Sequence, residues 1–131
     1  MEESTNTGGS DGPAVGPEVT SVVEGDVASL TVIGELTEAA RRPIVRILTD
    51  LLLAHGPLRR IELRLDAVTF LNSAGLAVLV QALKLTAPRK IAVALVAPTE
   101  AVLRPLQLSG LWHRFEIVGA DPRHQVPPAA S

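Results

Sequence analysis

Polar and apolar residues alternate with two different periods along this chain, and each change of period marks a new element. Apolar runs and alternating segments predict five strands, at 19–23, 28–33, 61–66, 91–96 and 115–118. Apolar residues spaced by three and four predict three helices, which begin near Pro43, near Ser73 and after Pro98. The predicted order is therefore β-β-α-β-α-β-α-β.

The predicted order also indicates how the elements pack. A turn at Glu24–Asp26 favours an antiparallel hairpin for the first two strands. Helices between the later strands imply right-handed parallel crossovers. Strict alternation over Ile61–Asp66 leaves one face of that strand polar, which favours helices mainly on one face of the sheet. We therefore expect a single α/β domain with a mostly parallel, mixed sheet.

The helical spacing also predicts which side of each helix is buried. The inward residues are expected to be Ile44, Ile47, Leu48, Leu51 and Leu52 in the first helix, Leu76, Leu79, Val80 and Leu83 in the second, and Val102, Leu103 and Leu106 in the third. We expect the first helix to end at His55-Gly56-Pro57 and the third at Ser109-Gly110.

Composition changes sharply at both ends of the predicted domain. Residues 1–17 are rich in Gly, Pro, Ser and Thr and are predicted to be a disordered acidic arm. Residues 18–120 form the predicted domain, and residues 121–131 a flexible tail. Residues 1–38 contain eight acidic residues and no Lys or Arg, whereas the rest contain all twelve basic residues and the other six acidic ones. Most of this asymmetry belongs to the arm and the first turn.

The residue types that are missing exclude several classes of protein. With 131 residues, of which 47% are hydrophobic, the chain can bury one core. It has no Cys, which excludes disulfides, thiolate zinc sites and cysteine nucleophiles. Its three His residues lack ligand spacing, so no metal site is expected, and three aromatic residues argue against a base-stacking surface for nucleic acid.

Motifs for catalysis, cofactors and targeting are also missing from the sequence. Neither a phosphate-binding glycine loop nor a Gly-x-Ser-x-Gly elbow is present, so we expect no enzyme and no cofactor. The N-terminus is polar, and the longest apolar stretch, Ala74–Val80, is too short to span a bilayer. The chain is therefore predicted to be cytoplasmic, without membrane insertion.

One segment places hydroxyl chemistry at the start of the second helix. The segment Val68–Leu71 leads from the predicted strand at 61–66 to Asn72-Ser73, and the helix that follows carries no charge until Lys84. Ser73 is predicted to be the N-cap, and Gly75 to allow close approach of the backbone to its own sheet or to a partner. A phosphate on Ser73 would lie at the positive end of the helix, so it would act on a partner rather than unfold the domain.

This segment carries a family resemblance. Phe70-Leu71-Asn72-Ser73-Ala74-Gly75-Leu76 resembles the signature of STAS domains, the family of anti-sigma factor antagonists. Residues 30–37 are similar to the second strand of that family and its "GELD" exit, and residues 103–117 to its closing helix and strand. Two positions depart from the family pattern: Asn72 stands before the serine where Asp is common, and Thr37 replaces the Asp of "GELD".

The resemblance implies a partner switch rather than an enzyme. It implies binding to a cytoplasmic anti-sigma factor, commonly a GHKL-type serine kinase, with release of a sigma factor. The kinase would phosphorylate Ser73, and a phosphatase would reset the cycle. The contact residues implied are Asn72, Ser73, Ala74, Gly75 and Leu76. Glu35 and Thr37 are expected to border this surface, because they leave a neighbouring parallel strand at the same edge.

Two other functions stay open from the sequence. The chain could be the STAS subunit of a lipid-transport ABC complex, bound to its ATPase, or a small nucleotide- or flavin-binding α/β domain. The cluster of Arg41, Arg42 and Arg46 is predicted to be a solvated face, with an acidic partner surface as the alternative.

Overall fold

The computed structural model has the element order that the sequence predicts. It describes residues 16–54 and 57–119; the arm before Gly16, the predicted helix stop at His55-Gly56 and the predicted tail lie outside these residues. The strands are β1 Glu18–Glu24, β2 Val27–Leu36, β3 Arg60–Leu71, β4 Ala92–Val96 and β5 Glu116–Val118. The helices are α1 Arg41–Ala54, α2 Ser73–Thr86 and α3 Glu100–Ser109, with short 3₁₀ turns at Glu38–Ala40, Ala87–Arg89 and Leu111–Arg114.

The five strands form one mixed sheet in the order β1-β2-β3-β4-β5. β1 and β2 are antiparallel, and all later neighbours are parallel. From β2 to β5 the strands follow one another across the sheet in the order of the sequence. Right-handed crossovers that all advance in the same direction place α1, α2 and α3 on the same face of the sheet. Burial along β3 agrees, since Ile61, Leu63 and Leu65 are buried while Arg64 and Asp66 are exposed. The predicted fold class is confirmed.

The buried sides of α1 and α3 include most of the predicted residues, but that of α2 differs. Val102, Leu103 and Leu106 of α3 are all buried as expected. In α2, however, Leu76, Val80 and Leu83 are only half-buried. Its buried residues are Gly75, Val78, Leu79, Ala82 and Thr86. Small residues on this side let the helix lie close to the sheet, so the large leucines alone did not identify it.

Two strands are longer than their alternation predicts. β2 continues past Ile33 to Leu36, and β3 continues past Asp66 to Leu71. The register between them shifts twice in this region, and Gly34 adopts a positive φ of 116° there. Such irregularities break the two-residue period by which a strand is recognised. The added length carries both strands to the edge where the motif lies.

Charged side chains cover part of the sheet face that has no helices. Arg60 on β3 donates to both carboxylate oxygens of Glu116 on β5, at 2.7 and 3.2 Å, and also to Glu62 at 3.0 Å. The intervening strand presents the small residues Ala92 and Ala94 on this face, so the long side chains can meet across it. The Arg60 hydrogen bonds hold the pKa of Glu116 below its usual value. This polar network agrees with a face that remains open to water.

Candidate functional site

The ends of β2 and β3 bring the predicted site residues to one edge of the sheet. Leu36 pairs with Leu71, and the Asn72 N–H donates to the Leu36 carbonyl oxygen at 3.3 Å. Glu35 is exposed and pairs with Phe70. The end of β2 and the start of α2 are therefore neighbours, as expected from parallel strands.

The N-cap of α2 is Asn72 rather than Ser73, so the predicted cap is wrong by one residue. Asn72 is extended (φ −113°, ψ −173°), and its side-chain oxygen accepts a hydrogen bond from the Gly75 N–H at 2.9 Å. Ser73 is already the first helical residue, so the capping position falls on the residue before it. Thr37 is the N-cap of the 3₁₀ turn at Glu38–Ala40, because its hydroxyl oxygen accepts a hydrogen bond from the Ala39 N–H at 3.3 Å.

The Ser73 side chain is left free by this arrangement. Ser73 is exposed, and its hydroxyl forms no hydrogen bond with any residue that the structure describes. It lies in the first turn of α2, where backbone N–H groups and the helix dipole favour a negative charge. A group added to this oxygen would therefore leave the cap in place.

Gly75 fixes the distance between α2 and the end of β2. A Cβ atom on Gly75 would lie 2.0 Å from the carbonyl oxygen of Leu36 and 2.7 Å from its carbonyl carbon. Both of these are backbone atoms, which cannot turn aside as a side chain can. The sequence left open whether the backbone at Gly75 approaches its own sheet or a partner. The structure shows that it approaches the chain's own sheet.

Apolar surface flanks the start of α2 on the side of α3, and sequence reasoning missed it. A shallow groove of about 440 Å³ lies between the end of β3 and α3, with Phe70, Ala101 and Leu108 in its lining. Phe70 is 47% exposed and Leu108 is 78% exposed. The signal available in the sequence was that Phe70 opens the signature segment; it pairs with Glu35 directly after a register shift, and its side chain is exposed there.

Removing the cap tests this description of the site. We expect Asn72→Ala to lower the free energy of unfolding by about 1 kcal/mol, because the Gly75 N–H loses its partner. Ser73→Ala should change it by less than about 0.5 kcal/mol, because the hydroxyl has no partner to lose. Urea denaturation of the two variants measures the difference. Equal destabilisation, or a larger loss for Ser73→Ala, would contradict the assignment of the cap.

The described residues show no group suited to a metal ion and no membrane-crossing helix. Across 16–54 and 57–119, no three His, Asp or Glu side chains come together in a way that could hold a metal. Within the same ranges, no helix is long and apolar enough to span a bilayer. Of the three His residues, His113 stacks against Trp112 at a ring separation of 4.1 Å, and the other two lie outside the described residues.

Comparison with protein families identifies the fold. The model of the STAS domain family matches residues 18–120. The chain belongs to the STAS domain family. The motif at Asn72–Leu76 and the β2 exit at Glu35–Thr37 therefore both lie inside the matched STAS region. No curated protein sequence gives a significant match to this STAS chain.

Solved structures with anti-sigma antagonist names share the fold of this STAS domain. A Thermotoga maritima protein described as a candidate anti-sigma factor antagonist is 25% identical, with a TM-score of 0.68 over 86% of this chain and 91% of that one. An anti-sigma factor antagonist from Mycobacterium paratuberculosis is 23% identical, with a TM-score of 0.63 over 78% and 85%. The antagonist SpoIIAA in its unphosphorylated form is 18% identical, with a TM-score of 0.64 over 87% and 96%.

Proposed function

We propose that this STAS protein is an anti-sigma factor antagonist that is switched by phosphorylation of Ser73. The contact surface is the segment Asn72–Leu76, called the docking loop below, together with Glu35 and Thr37. Membership of the STAS family and the named roles of the similar structures support this proposal. The observation that carries it is the free, exposed Ser73 hydroxyl beside a cap made by another residue.

In the unmodified state, the docking loop is neutral and adjoins apolar surface. Ala77 is exposed one turn into α2, and Phe70 is half-exposed at the end of β3. An anti-sigma factor binds here, and the sigma factor that it held is released. The chain contributes binding and no catalysis, and it acts in the cytoplasm on a protein rather than on nucleic acid.

Phosphorylation reverses this binding without unfolding the domain. A GHKL-type serine kinase, the anti-sigma factor itself, transfers the terminal phosphoryl group of ATP to the Ser73 oxygen. The bond between that phosphorus and the bridging oxygen breaks as the bond to Ser73 forms, and ADP and the serine proton are released. The new group adds a charge of about −1.5 to −2 at pH 7. The first turn of α2 tolerates this charge, but a partner packed on the docking loop does not. A phosphatase hydrolyses the ester and restores the hydroxyl.

Asn72 keeps the docking loop uncharged before phosphorylation. The cap holds its side-chain oxygen on the Gly75 N–H, so the amide orients the loop. Asp at this position could form the same hydrogen bond and would add a negative charge beside Ser73. If kinase recognition uses that charge, we expect Asn72→Asp to raise the rate of Ser73 phosphorylation.

Capture of the partner tests the proposed function. We expect the tagged full-length chain to capture a GHKL-type kinase from its native lysate. After incubation with that kinase and ATP, phosphopeptide mass spectrometry should find the phosphate on Ser73, and the Ser73→Ala chain should remain unmodified. Capture of an ABC ATPase would instead favour the lipid-transport role. Unmodified Ser73 in a stable kinase complex would remove the switch, and tight stoichiometric nucleotide or flavin binding in calorimetry would overturn the binding role.

A further inference from the structure

A groove on the helical side of the molecule is not used by the proposed switch. It lies between the first half of α1 and the middle of α2 and has a volume of about 740 Å³. Three arginines line it, Arg41, Arg42 and Arg46, and Gln81 faces them from α2. We call it the arginine groove. The sequence predicted that these arginines form a solvated face. That prediction does not explain why they line one concave surface.

The arginine groove carries an excess of positive charge. Its lining holds three guanidinium groups and one carboxylate, that of Glu38. All three arginines are exposed, and none forms an ion pair or a side-chain hydrogen bond with a residue that the structure describes. Glu38 lies three and four residues before Arg41 and Arg42 but is not paired with either.

Two other arginines, Arg59 and Arg60, are by contrast paired with carboxylates. Arg60 forms a two-pronged pair with Glu116, and Arg59 forms an ion pair with Asp26. α1 itself has no acidic residue in its first turn, so two cations lie at the end of the helix where a cation is disfavoured. An anionic group bound from outside would reduce the repulsion between these two cations and the positive end of the helix dipole.

The arginine groove continues from the proposed docking site. Glu38 and Ala39 of its lining directly follow Thr37, and Leu36 contacts the start of α2 at Gly75. Gln81 lies eight residues after Ser73 on the same helix, which corresponds to about 12 Å along the axis. A protein interface of ordinary size covers about 800 Å² on each partner, so a partner that covers Ser73 also reaches the groove.

We propose that the arginine groove binds an acidic segment of the anti-sigma factor that docks at Ser73. This inference rests on the proposed function and specifies the chemistry of its partner. Guanidinium groups pair with carboxylates through two parallel hydrogen bonds, which gives orientation as well as attraction. The apolar surfaces of Pro43 and Val45 support the aliphatic parts of the peptide and of the arginines. Contacts of this kind accelerate association and select the partner.

Titration of the isotopically labelled full-length chain with a hexaglutamate peptide tests the groove directly. We expect the NMR signals of residues 38–46 and of the Gln81 side-chain amide to shift in a saturable way. The shifts should disappear at 1 M salt, where the screening length is about 3 Å. The variant Arg41→Glu/Arg42→Glu should bind the peptide about tenfold more weakly, because it loses two attractive contacts and gains two repulsive ones.

The matched control reverses the same number of charges elsewhere. Lys90→Glu/Arg114→Glu changes two exposed cations that also form no ion pair with a described residue, one after α2 and one after α3, and it should bind the peptide within about twofold of the unaltered chain. Unshifted groove signals, or equal weakening in the two double variants, would overturn the proposal. A third variant, Glu2→Gln/Glu3→Gln/Asp11→Asn, tests whether the chain's own N-terminal segment occupies the groove. A change in the groove signals of this variant without peptide would also overturn the proposal. A single-stranded oligonucleotide that binds the groove more tightly than the peptide would also overturn it.

The captured anti-sigma factor separates this inference from the proposed function. Arg41→Glu/Arg42→Glu should weaken capture and reduce its dependence on salt, while Ser73 phosphorylation still abolishes capture. If Ser73 variants switch binding but the double variant binds as tightly as the unaltered chain, the groove proposal fails and the switch stands. If no Ser73 variant affects capture, the switch fails whatever the groove binds.

Discussion

Gly75→Ala is expected to lower the free energy of unfolding by about 3 kcal/mol, as other forced overpackings do. The added Cβ would lie 2.0 Å from the Leu36 carbonyl oxygen, well inside contact distance. Relief requires α2 to move away from the end of β2, which strains the hydrogen bond from the Asn72 N–H to the same oxygen. Urea denaturation should therefore show a lower midpoint with an unchanged slope, and partner capture should weaken because the docking loop moves with the helix.

Gly25→Ala is the matched control for this experiment. Gly25 also lies in the described region, but nothing is found within 4 Å of a Cβ built on it. Its positive φ of 63° makes the substitution cost about 1 kcal/mol through backbone strain alone. A loss for Gly75→Ala no greater than that for Gly25→Ala would mean that the helix is not held against the strand at Leu36.

The position of Gly75 shows which part of the site the sequence could predict. A glycine three residues into the pattern of a helix indicates that some backbone comes close, and this much was predicted. The identity of that backbone was open, because Leu36 lies 39 positions earlier and no local pattern connects the two residues. Only the pairing of β2 with β3 brings the Leu36 carbonyl beneath the helix.

The exchange of roles between Asn72 and Ser73 has a similar cause. Both residue types are good N-caps, so composition cannot choose between them. The choice depends on where β3 ends, and β3 continues to Leu71 through an irregular stretch that alternation does not reveal. An error of one residue in the position of the cap changes the chemistry of the site, because it decides whether the serine hydroxyl is occupied or free.

Phe70 marks the limit of reasoning from periodicity. Regular alternation predicted the buried face of β3 over Ile61–Leu65, and the structure agrees there. Beyond that point the register shifts, and Val68 and Leu71 are both buried while Phe70 between them is exposed. The apolar surface beside the docking loop was therefore not foreseen. The crossovers, by contrast, were predictable, because a helix between two strands of one sheet implies a right-handed parallel connection.

Phosphorylation of Ser73, or its mimic Ser73→Glu, is expected to weaken binding of the anti-sigma factor about 100-fold, as the loss of a central interface contact does. A charge in the middle of a packed interface must be desolvated, which costs free energy. The docking loop itself contains no basic residue that could compensate this cost. Ser73→Ala should retain the partner, because the hydroxyl makes no contact in the free chain. Calorimetry or surface plasmon resonance with the purified partner measures the affinities of the unaltered chain, Ser73→Ala and Ser73→Glu.

The stability of each variant decides whether this effect belongs to the interface. Ser73→Glu places its carboxylate in the first turn of α2, where the helix dipole stabilises it, so the unfolding midpoint should not fall. Thr20→Glu adds the same charge at an exposed hydroxyl position on β1, far from α2 in the strand order, and should change the affinity by less than about twofold. Equal affinities for the Ala and Glu variants would leave the STAS domain as a binding module without a switch at Ser73. If Ser73→Glu lowers both the affinity for the partner and the unfolding midpoint, the charge acts on the fold. Because the Ser73 hydroxyl is free and Asn72 makes the cap, we expect the affinity to fall while the midpoint does not.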